Sequence, residues 1–487
     1  MRAAVAVCAA LATASALAVS CAPGPRAPST GQPTALTVDA RHMMRASVDP
    51  RLFGVGVDLS AATYTGPGCG ALAGMERAVA LVRIGAAEAD DYDWRADAYD
   101  NPHNPSQHSQ DASAGCPPPA VTGAASVLRV LDRARAIRAQ AVVVLNGETD
   151  DPGAAYALVR VIAARYGAAF ARGVYWEIGN APAQWQHFGV PLMARSAGEH
   201  INCSPDQYAA LVTGYDAAIT AALDSAPGDA NRPRIVADAW ITNATDQSWA
   251  GIVAAVDTRY YPYTSLGAVP AGASAVAGSV SSPPSGTIPL DDQLGSLRAS
   301  LAQYSGGDNV GLFIGQWDIN SAGSATYGAT AQAVFMAGLL VRAIHDGVGM
   351  AAWAPPLLYG YSSPSGQPQT PFVDQQPAPS LRVLTALRAL AGAHVLTTPA
   401  LPGSNVDTLA VRRADGGVSI MLVRPGGRGA VDVPLRLMGG PARPVRASLQ
   451  TFSDRSDGAA HPFSVDPAGA RITVPDPGVV ILTLPAW

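Results

Sequence analysis

Lysine is absent: all 32 basic residues of this 487-residue chain are arginine. Beside 49 glycines, 40 prolines and abundant alanine, that bias records a GC-rich coding sequence rather than a mechanism. Charge of either sign is scarce, at 14% of residues, and a net charge of −5 leaves no basic footprint for nucleic acid. Cysteine is also rare, with five residues and no spacing that resembles a zinc pattern. His103 and His108 with Asp100 and Asp111 share one polar loop, and His187 and His200 share another. Their spacing fits no closed metal site, so neither a metal nor a cofactor is implied. No Gly-rich phosphate loop follows the first strand pattern, which weakens a doubly wound sheet, and no Ser-centred nucleophile elbow is visible. What remains is a globular composition, 48% hydrophobic, on a chain long enough for two or three domains.

The N-terminus "MRAAVAVCAALATASALAVSC" has a short basic start, an apolar run and small residues before Cys21, the pattern of an export signal. The run is short for a membrane span. "LAVSC" has the form of a bacterial lipobox with Cys21 as the lipidated residue, although Ala18 stands at position −3. Residues 1–21 are therefore expected to be the signal, and the Pro/Ser-rich residues 22–36 a tether. The mature protein is expected outside the cytoplasm, either on the outer face of the membrane through a lipid anchor or secreted after simple cleavage. Of the three remaining cysteines, Cys69 and Cys116, both in Gly/Pro-rich loops, are the preferred disulfide pair, which leaves Cys203 over.

From residue 51 to 394, short apolar runs of β type alternate with helical patterns. The strands read as "LFGVGVD", "ALVRIG", "AVVVLN", "VYWEIG", "RIVADAW", "DTRYYPY", "VGLFIGQW" and "GVGMAAW". Helix starts are clearest at Asp151-Pro152 and Ser204-Pro205, each an N-cap residue followed by proline at the first helical position. "TAQAVFMAGLLVRAIHDG" is nearly all apolar, and at that length it predicts a packed barrel helix. Eight strand–helix units predict an α/β fold, a (β/α)8 TIM barrel. From 395 to 487 the period changes to two, beginning with a hairpin around Asp415-Gly416-Gly417, which predicts an appended β-sandwich. Residues 37–50 are expected to return to that sandwich as a strand with no helix of its own. Two stretches at strand C-terminal ends, 95–123 and 267–293, are poor in apolar residues and are expected to form a cleft wall and a mobile flap.

Four motifs then fall on successive barrel strands: "LVRIG" with "YDW" at 92–94, "WEIGN" at 176–180, "DTRYYPY", and "LFIGQWDIN" at 312–320. In this order the chain resembles the clan of retaining glycoside hydrolases that includes families 39, 51 and 79. The resemblance covers nearly the whole mature chain. It implies a carbohydrate cleft at the barrel mouth, with the acid/base at residue 181 and the nucleophile at residue 316. Here those residues are Ala181 and Gln316, and the family's histidine position holds Arg259. A retaining mechanism needs two carboxyl groups about 5–5.5 Å apart, and neither alanine nor an amide can act as one. Losing both removes the double-displacement route.

The reading favoured by these residues is an exported pseudo-glycosidase that binds a polysaccharide or glycan, monomeric, touching the membrane only through its anchor. The substrate-binding residues expected from it are Arg83, Asn180, Trp185, Tyr261, Gln316, Trp317 and Trp353, with Trp240, Tyr263, Tyr359 and Tyr361 as further rings on the same face. An active hydrolase is the alternative. Glu88 and Asp318 would then serve an inverting mechanism, with Asp318 two residues beyond Gln316 on the same strand side. A third reading is a surface scaffold for another protein, the old cleft being unused. Glu177 alternates away from Asn180 and is expected to brace the barrel interior with Arg83. It is also the nearest carboxylate if the motif is misplaced by one residue.

Overall fold

The structure, a computed structural model, describes residues 35–59, 74–85, 89–99, 126–180, 201–224, 232–238, 263–271, 290–303, 310–319, 329–353, 372–398 and 405–487. One- or two-residue breaks interrupt some of these ranges, and Leu72, Pro182, Trp185, Phe188, Gly189 and Leu401 are described besides. Pro33 to Trp487 forms a single compact unit.

Two short strands, β1 (Leu36–Asp39) and β2 (Met43–Ser47), come first. The central sheet follows: β3 (Gly54–Val57), β4 (Leu81–Ile84), β5 (Gln140–Leu145), β6 (Tyr175–Ile178), β7 (Arg234–Asp238), β8 (Tyr263–Ser265), β9 (Gly311–Ile319) and β10 (Met350–Trp353). Each strand pairs in parallel with the next, and β10 pairs in parallel with β3, so the sheet curls in the manner of a TIM barrel. Most of the predicted sixth strand, residues 257–262, lies outside the described residues; β8 begins at its last residue, Tyr263.

Helices α1 (Val127–Ala136), α2 (Pro152–Tyr166), α3 (Ala168–Gly173), α4 (Pro205–Ala222), α5 (Leu290–Leu301), α6 (Ala329–His345) and α7 (Pro379–Arg388) connect the strands. Local chemistry fixes their starts. Asp151 accepts from Ala154 N, while Ser204 and Gln207 form a reciprocal capping box around the first turn of α4. Among the described residues no helix is long and apolar enough to cross a membrane.

The C-terminal part contains β11 (His394–Leu396), β12 (Asp407–Arg412), β13 (Val418–Arg424), β14 (Val431–Met438), β15 (Val445–Ser453), β16 (Ser456–Val465), β17 (Ala470–Val474) and β18 (Gly478–Leu484). They form a seven-stranded sheet, β2-β11-β12-β13-β18-β15-β16, and a three-stranded sheet, β1-β14-β17. β1 runs parallel to β14, with Leu36 opposite Leu435, and so joins the C-terminal sheets.

The larger sheet is covered on both faces. Along β13, Val418, Ile420 and Leu422 pack toward the three-stranded sheet, whereas Met421 and Val423 join the core shared with the barrel. That explains an apolar run where a sandwich strand with one wet face would alternate. It also explains α6, which lies between the barrel strands and β12, β13 and β18 and so is apolar all round.

Candidate functional site

The barrel interior alternates with the outer layer strand by strand. On β6, Tyr175 joins the inner cluster with Leu81, Val142, Val236, Phe313, Met350 and Ala352, while Trp176 and Ile178 pack outward. Period two therefore turns Glu177 inward, and on β4 it turns Arg83 inward. The two meet. Arg83 Nε lies 2.7 Å from Glu177 Oε2 and Nη2 lies 3.0 Å from Oε1, with both side chains fully buried. Arg83 also donates through Nη1 to Gly85 O at 3.2 Å and through Nη2 to Asn180 Oδ1 at 2.8 Å.

Asn180 sits at the corner where β6 ends. The turn is made by Gly179 at φ +68°, and a Cβ there would stand 2.1 Å from Trp185 Cζ2. Because a guanidinium only donates, it fixes Asn180 with Oδ1 toward Arg83, and the amide nitrogen Nδ2 faces the other way. The Asn180 backbone is held as well: its N–H donates to Asp90 Oδ2 at 3.1 Å, and its carbonyl accepts from Trp185 Nε1 at 3.0 Å. Trp185 Nε1 is shared with Asp90 Oδ2 at 2.9 Å. The Trp185 ring stacks on Phe188, with centroids 5.8 Å apart, and meets the edge of Tyr208, whose hydroxyl donates to Ile178 O at 2.7 Å.

Asp90 was not among the residues singled out from the sequence. It is buried under this corner and also accepts from Gly147 N. Burial pushes its carboxyl well above the usual carboxylate range; nearby Glu148 adds to the rise, against the pull of the Trp185, Asn180 and Gly147 donors. The available signal was the dense acidic run "EADDYD", in which one carboxylate had to turn inward.

Arg83 and Asn180 are thus brought together, but with different prospects from those expected. Arg83 is buried completely and positions Asn180 instead of reaching a ligand. Trp185 is a buried clamp behind the corner, 4% exposed. Trp317 and Trp353 face each other across β9 and β10, at 1% and 2% exposure, in the layer between sheet and helices. The Trp317 ring packs against Phe335 of α6. These placements correct the reading of Arg83, Trp185, Trp317 and Trp353 as direct glycan contacts, because such burial shields them from a ligand in the mouth. Trp317 turns outward because the β9 register shifts between Ile314 and Trp317, which reverses the alternation set by Leu312 and Ile314.

For Gln316 and Asp318 only the backbone of β9 is described. Ala181, Glu88, Tyr261, Arg259, Trp240, Tyr359, Tyr361, Cys21, Cys69 and Cys116, the histidine loops, the cleft wall from Asp100 to 123, and the flap from 272 to 289 lie outside the described residues. Cys203 is a free, buried thiol, pushed up to about 12 by burial first and Glu148 second.

Glutamate is itself informative. The chain has five, at 76, 88, 148, 177 and 199, and none in the following 288 positions. No strand from β7 onward can carry one, whatever the alignment.

No family model matches the chain, and no curated protein does. Solved structures match over nearly their full lengths. A GH51 arabinofuranosidase from Xanthomonas axonopodis pv. citri is 15% identical, with 92% of this chain and 99% of that chain covered at a TM-score of 0.63. An alpha-L-arabinofuranosidase from Thermotoga maritima, solved as an arabinose complex, is 14% identical, with 93% and 99% covered at 0.68. A GH family 44 xyloglucanase from Paenibacillus polymyxa, solved with xyloglucan, is 14% identical, with 94% and 100% covered at 0.63. At such identities the likeness is one of fold: a glycoside-hydrolase-like TIM barrel with a C-terminal β-sandwich.

Proposed function

We propose that this chain is an exported, catalytically impaired glycoside-hydrolase relative that binds carbohydrate at the mouth of a complete (β/α)8 barrel, with Asn180 as a ligand donor. The observation that carries the reading is the state of Glu177. It is the only carboxylate on β6 itself, three residues before Asn180, and it is buried and held bidentately by Arg83. A general acid must reach a leaving-group oxygen within hydrogen-bond distance, and a group locked in this way does not. Ala181 and Gln316 at the two working positions, and the lack of glutamate beyond residue 199, support the same conclusion. Asn180 Nδ2, turned away from Arg83, is oriented to donate to a sugar hydroxyl.

The relatives' ligands suggest the first probes. Thermal unfolding of the mature protein is measured with arabinan oligosaccharides and xyloglucan, and aryl glycosides and reducing-end assays test for cleavage. The expected result is a saturable rise in Tm with one glycan, abolished by Asn180→Ala, and no release of reducing ends. Release that Glu88→Gln or Asp318→Asn abolishes would overturn the reading in favour of an inverting hydrolase. Export and lipidation at Cys21 belong to the same proposal; globomycin-sensitive processing and loss of labelled fatty acid in Cys21→Ser test them.

A further inference from the structure

The barrel's other end carries a second concavity, built from the residues that precede β3, β4, β5 and β6 and from the ends of α1 and α7. It has a volume of about 720 Å³, ample for a small ligand, and Asp49, Arg51, Arg135, Arg138 and Arg388 are its charged lining residues. Asp49 is committed to Arg51: its carboxylate accepts from Arg51 N at 2.9 Å, Nε at 2.9 Å and Nη2 at 2.6 Å. Arg135, Arg138 and Arg388 have no carboxylate partner among the described residues, so the cup carries a surplus of about three positive charges. Such a surplus is unusual in a chain this poor in charge.

The cup is also held in shape. Arg135 lies over the Tyr166 and Phe170 rings, 4.8 and 5.1 Å from their centroids, which fixes its guanidinium at the rim. Arg138 follows the end of α1 at φ +58°, the left-handed conformation that a helix terminus ordinarily gives to glycine. An arginine kept in that conformation is strained, and strain of this kind gathers at functional positions. Arg388 approaches from α7 and Arg51 from the turn before β3. Arg51 is occupied by Asp49 and Tyr175, so the donors left for a ligand arrive from two separate elements, the end of α1 and α7. A carboxylate offers two coplanar oxygens to such a ring, whereas a phosphate monoester offers three oxygens and up to two charges, matching planar guanidinium forks on several sides.

We infer that the Arg135/Arg138/Arg388 cup at the N-terminal end of the barrel is a binding site for a phosphate monoester group, separate from the carbohydrate-binding mouth and independent of that reading. The group can come from a soluble phosphorylated molecule or from a lipid headgroup, and the test separates the two.

Binding of inorganic phosphate to the mature protein is measured by isothermal titration calorimetry and thermal unfolding, against chloride at matched ionic strength. Three variants accompany it: Arg138→Gly, Arg388→Gln, and Arg455→Gln on an exposed turn of the sandwich as a charge-matched control. Saturable phosphate binding is expected in the wild type and in Arg455→Gln. In Arg388→Gln and Arg138→Gly it is expected to weaken by about tenfold or more, the loss of one charge-assisted contact. Arg138→Gly relieves the φ +58° strain, so its unfolding temperature should be unchanged or higher; weaker binding by a better-folded variant is an outcome that a purely structural role for Arg138 does not give. Sedimentation with phosphatidylcholine vesicles containing phosphatidic acid identifies a headgroup if it shows the same variant dependence; phosphate binding without sedimentation identifies a soluble ligand. Absence of phosphate-specific binding, or equal affinity in Arg138→Gly, Arg388→Gln and wild type, would overturn the inference.

Discussion

Replacing Glu177 by alanine isolates the interaction on which the barrel corner rests. In the native protein Arg83 and Glu177 are both fully buried and joined by two bonds of 2.7 and 3.0 Å. Removing one partner of such a pair strands the other charge away from water, at a cost of about 3–5 kcal/mol. The unit from Pro33 to Trp487 is large, and its unfolding entropy, scaled per residue, comes to about 1 kcal/mol per kelvin. The expected drop in Tm is therefore about 3–5 °C, measured by calorimetry. Glu177→Gln keeps an acceptor for Arg83 and is expected to lose roughly half as much. The exposed Glu76→Ala serves as baseline, with a shift within about 0.5 °C. If Glu177 were an exposed working acid instead, Glu177→Ala would leave stability near that baseline while removing a glycosidase activity. Either finding would refute the locked-pair argument.

Gly179→Ala combines left-handed strain with a Cβ placed 2.1 Å from the Trp185 ring, and it is expected to destabilise by about 3 kcal/mol, read as loss of Tm and of glycan binding together. Asp90 supplies a pH signature. Its folded pKa lies above its unfolded value, so the stability tied to its proton is fully present below about pH 4 and declines as pH rises through the folded pKa. The Tm of wild type minus that of Asp90→Asn should accordingly fall from pH 4 upward, and a flat or rising difference would count against a raised pKa. Cys203 should resist iodoacetamide at pH 8 in the native protein and react fully once unfolded in guanidinium chloride; prompt native labelling would contradict its burial.

How far the sequence carried depended on whether the governing interaction was local. The starts of α2 and α4 were legible because Asp151-Pro152 and Ser204-Pro205 state their capping chemistry directly. The Arg83–Glu177 pair followed from strand alternation, since both residues sit on inward positions. Trp317 was misjudged because a ring at the end of a barrel strand reads as facing the mouth, whereas it packs against Phe335 in the layer between sheet and helices. β16 was missed as an edge strand; its polar sequence with Gly458 and Pro462 is the kind that protects an edge from unwanted pairing. Asp90 was hidden by long-range partners, with Gly147, Asn180 and Trp185 lying 57 to 95 positions away.

The pairing of Leu36–Asp39 with Leu435–Met438 has a consequence for how the molecule is made. At a synthesis rate of roughly 5–20 residues per second, the earliest of these strands waits on the order of 20–80 s for its neighbour to be translated. Leu36 and Val38 have nowhere to hide until the chain has been made as far as Met438. Truncation behind Pro425 should therefore loosen the strand Leu36–Asp39, and a protease site placed before Thr37 would report whether the residues that follow Pro425 are in position.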